Sequence, residues 1–282
     1  MSATQRLVVA LGSRDMEAIE QSLSDGANVN YTNEFGESIL MSAVLNGYPD
    51  VVRLLVSNET IQINQINGDG DTALLIASSI GNVKVMKELR GADVTIKNYM
   101  GTDALHAASR GGYTDCIKLL LNNGALINSI DKKQNTPLTL ASLENKVDAV
   151  KVLLQRGANP NAVDAFGFTP LMYAINNNAF ECVQYLALYK DTDINRENNN
   201  RDTALHVAIL RNNAMMVWYL LKNDKIDIYA TDINHMTPIQ HAVHLYGVDS
   251  EVARLLRLHE EIQKMKFNLK VLEDKQFKLV KF

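Results

Sequence analysis

Residues 164–174 read Asp-Ala-Phe-Gly-Phe-Thr-Pro-Leu-Met-Tyr-Ala, and similar stretches return at regular intervals along the chain. The shared pattern is Gly-x-Thr-Pro-Leu-x-x-Ala; it is strongest here and at 136–141 and weaker in five other copies. The copies, aligned on the threonine position, fall 31 to 34 residues apart at Ser38, Thr72, Asp103, Thr136, Thr169, Thr203 and Thr237. An Asn or Asp stands five residues before each of these positions. Such self-similarity predicts a repeat array built from one supersecondary unit.

Each copy carries the signals of two helices. The threonine hydroxyl can accept an otherwise unpaired backbone N–H at the start of the first helix. Proline at the next position suits the first helical turn, where its missing N–H costs nothing. Gly91, Gly124 and Gly157 follow the second helix, where a left-handed cap favours glycine. The leucines and alanines form narrow apolar stripes that only a neighbouring copy can bury.

On these motifs the chain resembles the ankyrin-repeat family, whose unit is a β-turn followed by two antiparallel helices. The resemblance covers about residues 4 to 262 and implies an all-α ankyrin-repeat solenoid with an N-terminal capping unit, seven repeats and a C-terminal helix. We assign residues 1–33 to the capping repeat and 34–249 to the repeats. Residues 250–282 hold the second helix of the last repeat and a helical tail.

Composition narrows the class of protein. The chain of 282 residues is 46% hydrophobic and 21% charged, so it can bury a core. The longest early apolar run, Leu7 to Leu11, is too short for a signal peptide or a membrane span. A net charge of −4 argues against nucleic acid as a partner. Two cysteines suit a reducing compartment. We therefore expect a cytoplasmic protein with no transmembrane segment.

The residues that could carry chemistry have simpler structural interpretations. His106 and His206 follow the motif leucine, a position that the family resemblance assigns to hydrogen bonding between repeats. His241 and His244 have a metal-compatible spacing, but no third ligand accompanies them. Cys116 and Cys182 occupy one apolar repeat position, which does not activate a thiol. We expect no enzyme activity, no catalytic residue, no metal site and no cofactor.

A partner protein is implied by the resemblance, because members of the family bind polypeptides at the fingertips and the end of the first helix of each repeat. Those positions place aromatic, methionine and basic side chains on one surface over repeats three to five, with one further aromatic in repeat one. The predicted partner-binding residues are Phe35, Tyr99, Met100, Arg110, Lys132, Lys133, Phe166 and Phe168. We expect the partner to present an acidic, aromatic-tolerant segment to Lys132 and Lys133.

Asparagines recur eight residues before the threonine position, at Asn30, Asn64, Asn128, Asn161 and Asn195. They resemble the asparagines that a cytosolic asparaginyl hydroxylase modifies in ankyrin repeats. Asn128 and Asn161 also have a leucine eight residues upstream, which makes them the candidates for hydroxylation. The alternative is that each side chain supports its own turn.

The C-terminal segment departs from the repeat pattern. Apolar residues at 255, 258, 262, 265, 269, 272 and 279, with Gln276 among them, alternate at spacings of three and four, which is a heptad pattern. Residues 264–282 hold six lysines and two acidic residues. Three interpretations remain open: a capping helix on the last repeat, a dimerising or partner-binding helix, and a membrane-surface segment.

The function predicted from these features is non-catalytic protein–protein recognition, as an adaptor, scaffold or inhibitor acting through the concave surface. One alternative is a regulatory or targeting domain of a larger enzyme or channel. Another is a microbial effector that engages host proteins in the host cytosol. Fold alone does not choose among them.

Overall fold

The computed structural model describes residues 1–279, with side chains described through residue 270. The described chain forms two compact units, one of residues 1–159 and one that begins at residue 160. The regular elements of residues 1–279 are all α-helices, accompanied by two isolated antiparallel bridges, Thr32–Ser38 and Ile66–Thr72. The expected all-α repeat fold is therefore confirmed.

The first unit is a stack of antiparallel helix pairs. Its first pair has no finger before it, as the sequence predicts for a capping unit. The helices are α1 (Ala3–Ser13), α2 (Met16–Ser24), α3 (Ile39–Leu45), α4 (Pro49–Val56), α5 (Ala73–Ser79), α6 (Val83–Glu88), α7 (Ala104–Gly111), α8 (Thr114–Asn122), α9 (Pro137–Leu143) and α10 (Val147–Gln155).

The second unit continues the same pattern and ends in a long helix. Its helices are α11 (Pro170–Asn176), α12 (Phe180–Leu188), α13 (Ala204–Leu210), α14 (Ala214–Leu220), α15 (Pro238–Tyr246) and α16 (Glu251–Leu279). The second helix of the last pair and the tail are thus one continuous helix. Within the residues described, none of the helices combines the length and apolar character needed to cross a bilayer.

The motif's threonine position begins the first helix of every pair after the capping pair. In six of the seven copies its side chain accepts the backbone N–H three residues on, at 3.1–3.4 Å. The exception is Thr203, whose Oγ1 lies 3.0 Å from Nδ1 of His206. Helix starts are thus fixed by short-range hydrogen bonds, which is why the sequence predicts them well.

The motif's leucine and alanine form the core between neighbouring pairs. The alanine is fully buried in all seven copies, at Ala43, Ala77, Ala108, Ala141, Ala174, Ala208 and Ala242. The leucine, two residues after the cap, is buried in six copies, whereas Ile239 in the last pair is half-buried. Small side chains at the alanine position allow the first helices to pack closely, for example α7 against α5 and α9.

The fingers are five-residue turns that begin at the conspicuous Asn or Asp. We name them fingers one to seven: 33–37, 67–71, 98–102, 131–135, 164–168, 198–202 and 232–236. In every finger the first side chain accepts the backbone N–H groups two and four residues on. Asn and Asp side chains readily bond to their own backbone two or more residues on, which accounts for their presence at this position in all seven fingers.

The fourth residue of each finger has a positive φ. It is glycine in fingers one, two, three and five, but Gln134, Arg201 and His235 adopt φ values of 65°, 63° and 60° in the others. Side chains other than glycine are strained in this left-handed region by about 1–2 kcal/mol.

We therefore expect Gln134→Gly to raise the free energy of unfolding by about 0.5–1 kcal/mol, because glycine relieves that strain but gains entropy in the unfolded chain. Gly101→Ala is the matched opposite, since its Cβ would lie 2.8 Å from the Lys132 nitrogen at a φ of 76°. Urea unfolding followed by circular dichroism measures both. A loss of stability in Gln134→Gly would contradict the strain interpretation.

Candidate protein-binding surface

The fingertips of each unit are linked through their backbones. In the first unit Gly68 N–H donates to Phe35 O at 2.9 Å, and Tyr99 N–H donates to Asp69 O at 3.1 Å. Lys132 N–H continues the ladder to Met100 O at 3.0 Å. In the second unit the matching bonds join finger six to finger five and finger seven to finger six. The backbone's polar groups are therefore used internally, and the fingertip side chains are left to face solvent on a fixed platform.

The first unit exposes most of the residues that the sequence singles out. Phe35, Tyr99 and Met100 are 67%, 58% and 60% exposed. Arg110, Lys132 and Lys133 are also exposed, and none of the three forms a salt bridge within the described residues. Large exposed apolar side chains next to charged side chains that form no salt bridge are typical of protein-interaction surfaces.

An open groove of about 720 Å³ runs over fingers one to three. Phe35, Ile66 and Tyr99 supply its apolar part, and Glu34, Glu37 and Asp69 supply its acidic part. Glu37 accepts a hydrogen bond from Asn33 Nδ2 at 2.8 Å, whereas Glu34 and Asp69 form no salt bridge in the described chain. Ile66, which is 43% exposed, was not predicted from the sequence because it precedes the finger, where the repeat pattern assigns no contact role.

The charge of the platform changes sign along the first unit. Fingers one and two carry the acidic groove, and finger four carries Lys132 and Lys133 at its tip. Lys97, between them, is engaged internally, because its Nζ donates to Ile130 O at 2.7 Å. Besides Lys97, which is exposed but donates to that carbonyl, the exposed cations of this end include the two finger-four lysines and Arg110 at the end of α7.

The second unit places its two predicted aromatics differently. Phe166 at the tip of finger five is 67% exposed. Phe168 is half-buried and its ring lies 5.4 Å from the ring of Tyr173 on α11. Tyr173 is held by its hydroxyl, which donates to Asp164 Oδ2 at 2.6 Å. Phe168 therefore packs on the first helix of its own repeat, and Phe166 is the free aromatic of the pair.

His106 and His206 join neighbouring repeats, as the sequence predicts. Both are fully buried; Nε2 of His106 lies 3.0 Å from Asn135 O, and Nε2 of His206 lies 3.3 Å from Met236 O. His106 Nδ1 also lies 2.8 Å from Oδ1 of the capping residue Asp103. Burial lowers the pKa of His206 and favours its neutral form.

Asp103 is the charged member of this buried network. Burial by itself would raise the pKa of its carboxyl, but hydrogen bonds from His106 and from the Ser129 hydroxyl hold that pKa below its ordinary value. Such bonds stabilise the carboxylate in a site that excludes water.

His241 and His244 diverge. Nε2 of His241 lies 2.8 Å from Oδ2 of Asp232, and the ring contacts His206 edge-on at 5.6 Å between centroids. Asp232 is buried, which would raise the pKa of its carboxyl, but the bond to His241 and the finger amides lower it to about 2. His244 is exposed. The residues described contain no group of three side chains able to hold a metal ion.

The two cysteines are buried thiols that are not joined by a disulfide. Burial, aided by the neighbouring Asp115 charge, raises the pKa of Cys116 to about 11. A thiol with so high a pKa is protonated at neutral pH and is a poor nucleophile. Their shared repeat position is a core position, as expected.

The asparagines eight residues before the cap act between repeats. Oδ1 of Asn30, Asn64, Asn128, Asn161 and Asn195 each accepts a backbone N–H from the following repeat, at 2.8–2.9 Å. Nδ2 of Asn30, Asn161 and Asn195 donates to a carbonyl there as well. Asn128 is exposed and Asn161 half-buried. Their hydroxylation stays a prediction.

Comparison with protein families gives one consistent result. The family model described as "Ankyrin repeats (3 copies)" matches residues 7–98, 81–164, 105–198, 148–232 and 171–268. The crystal structure of the ankyrin repeat domain of Bcl-3, a member of the IkappaB protein family, resembles the chain with a TM-score of 0.67 at 28% identity. That likeness covers 76% of this chain and 97% of the solved one.

Curated relatives share the repeats within longer proteins. An L-asparaginase of Dirofilaria immitis is 30% identical over 61% of this chain, which is 29% of its own length. A Caenorhabditis elegans homologue of transient receptor potential cation channel subfamily A member 1 is 36% identical over 34% of this chain, which is 8% of the homologue's length. The chain therefore spans less than a third of these relatives.

Proposed function

Because this chain belongs to the ankyrin-repeat family and is a protein–protein interaction module, we propose that it recognises a polypeptide on the exposed fingertips of its first unit. The observation that carries the proposal is the fixed platform on which Phe35, Tyr99 and Met100 are more than half exposed. Rigid aromatic side chains lose little entropy on binding, so they suit the role of interface anchors.

The charge pattern of the platform supports a partner segment of mixed charge. Lys132, Lys133 and Arg110 would face an acidic segment of the partner, and the groove with Glu34 and Asp69 would face basic residues at its other end. Opposite charges placed along one surface fix the direction in which a segment can lie. The partner segment is thus aromatic-tolerant, acidic at one end and basic at the other.

We expect the double substitution Lys132→Glu and Lys133→Glu to weaken binding of such segments about tenfold or more, because two attractive contacts become repulsive. A displayed random-peptide library would be selected on the unmodified full chain. The affinities of the selected peptides would then be measured by fluorescence anisotropy for the unmodified chain and for the variant.

The matched control is Lys84→Glu with Lys87→Glu, which makes the same charge change at exposed positions on α6, away from the fingers. Binding should persist in this control. Selected peptides that lack acidic residues, or that bind the finger variant and the control equally, would refute the proposed surface.

A second role is favoured by the lengths of the relatives. The asparaginase and the channel homologue carry their matching segments as 29% and 8% of their chains. We propose as the alternative that these repeats regulate or target a larger enzyme or channel. In that case the unmodified chain would bind a segment of that protein through the same finger residues.

A further inference from the structure

The C-terminal helix α16 has two apolar faces. The first is formed by Val252, Ala253 and Leu256, which are buried where the helix packs on α14 and α15. This face joins the helix to the last repeat and needs no further partner. Any interpretation of the tail must therefore explain the apolar residues of α16 that this contact leaves exposed.

The second face is a stripe that the last repeat does not cover. Leu258, Ile262, Met265 and Leu269 are 54%, 39%, 57% and 60% exposed. At about 100° per residue, the stripe points roughly 150° away from the buried face. The helix therefore cannot bury both faces on its own unit.

The spacing of the stripe specifies what covers it. Intervals of four, three and four residues place these side chains at alternating a and d positions of a heptad, and the sequence continues the pattern at Leu272, Gln276 and Leu279. The latter three side chains lie outside those the structure describes. A narrow a/d stripe sustained for about three heptads is typical of one helix pairing with another along its length.

We propose that the stripe is covered by the α16 helix of a second copy of this chain. The positions that flank it match this occupant: Glu261 falls at g and Lys266 at e, both exposed and neither in a salt bridge within the described residues. In a parallel pair each g residue faces the e residue of the next heptad in the partner. Glu261 of one copy then meets Lys266 of the other, with opposite charge, on both sides of the pair.

Sedimentation equilibrium of the full chain over a wide range of concentrations tests the proposal. We expect the mass to rise from 31.4 kDa toward twice that value. Leu269→Lys should raise the dimer dissociation constant by about tenfold or more, because it places charge in the apolar seam. Phe267→Lys is the matched control: it removes a side chain that is 68% exposed on the same helix but outside the stripe, and it should leave the dimer intact.

Both substitutions are at exposed sites, and circular dichroism would verify that each variant is folded. An unmodified chain that stays at 31.4 kDa at the highest concentration would overturn the proposal. Equal dimerisation of the two variants would also overturn it. A monomer that co-sediments with vesicles of anionic phospholipid, and loses this on Leu269→Lys, would overturn it in favour of a membrane-surface helix.

Discussion

Leu138→Ala is expected to lower the free energy of unfolding by about 3–5 kcal/mol, the loss typical of a large-to-small change in a rigid core. Leu138 is the motif leucine of α9 and is fully buried. α9 packs on α7 and on α10, so the cavity opens between two repeats as well as within one. Because each repeat is stabilised by its neighbours, we also expect the transition to broaden. Urea unfolding followed by circular dichroism measures both effects.

Ile239→Ala is the matched control, because Ile239 occupies the same motif position in the last helix pair but is only half-buried. Its removal should cost about 1–2 kcal/mol, since less apolar surface returns to water. If both variants lost the same stability, burial of the motif leucine would not be what stabilises the stack.

The sequence predicted the parts of the fold that depend on interactions between residues close together in the chain. The cap at Thr136 and the left-handed glycine at Gly124 are set by residues within one turn of the position concerned. The histidine links of His106 and His206 were also predicted, but through the resemblance to a family and not from local chemistry. Spacing alone cannot say which carbonyl a buried ring will reach.

Contacts between side chains of different elements were not predictable in the same way. Phe168 was expected at the partner surface, yet it packs on Tyr173, five residues along the chain in α11. For Asn128 the alternative to hydroxylation was support of its own turn, yet its Oδ1 accepts a backbone N–H of the next repeat. The Asn128 contact depends on the stacking of repeats, which a single repeat does not contain, and the Phe168 contact depends on how the finger folds back on its own first helix.

The buried capping network gives the second large effect. We expect Asp103→Ala to lower the free energy of unfolding by about 3 kcal/mol or more. The change removes the helix cap, worth about 1 kcal/mol. It also leaves the ring of His106 and the hydroxyl of Ser129 without their acceptor in a buried site, at a cost of about 1–3 kcal/mol for each group left unpaired.

Two variants separate these contributions. Thr203→Ala makes the change at the same motif position, where the hydroxyl pairs with Nδ1 of His206 in place of a backbone N–H and no carboxylate is involved. His206 keeps its bond to Met236 O, and we expect a loss of about 1–2 kcal/mol. Asp103→Asn retains an oxygen for the cap and should recover most of the stability. An alanine variant at Asp103 no less stable than the one at Thr203 would show that the carboxylate is not needed.

The carboxylate also makes stability depend on pH in a direction that the network fixes. Because the pKa of Asp103 is lower in the folded chain than its ordinary value of 3.8, the carboxylate stabilises the fold above that value. This contribution is lost as the pH falls through the lowered folded-state pKa, because the carboxyl is then protonated in both the folded and the unfolded chain.

The stability difference between the unmodified chain and Asp103→Asn should therefore be constant near neutral pH and shrink below about pH 4. Urea titrations at a series of pH values measure it, and a difference that grew on acidification would mean that burial, not the hydrogen bonds from His106 and Ser129, controls this carboxyl.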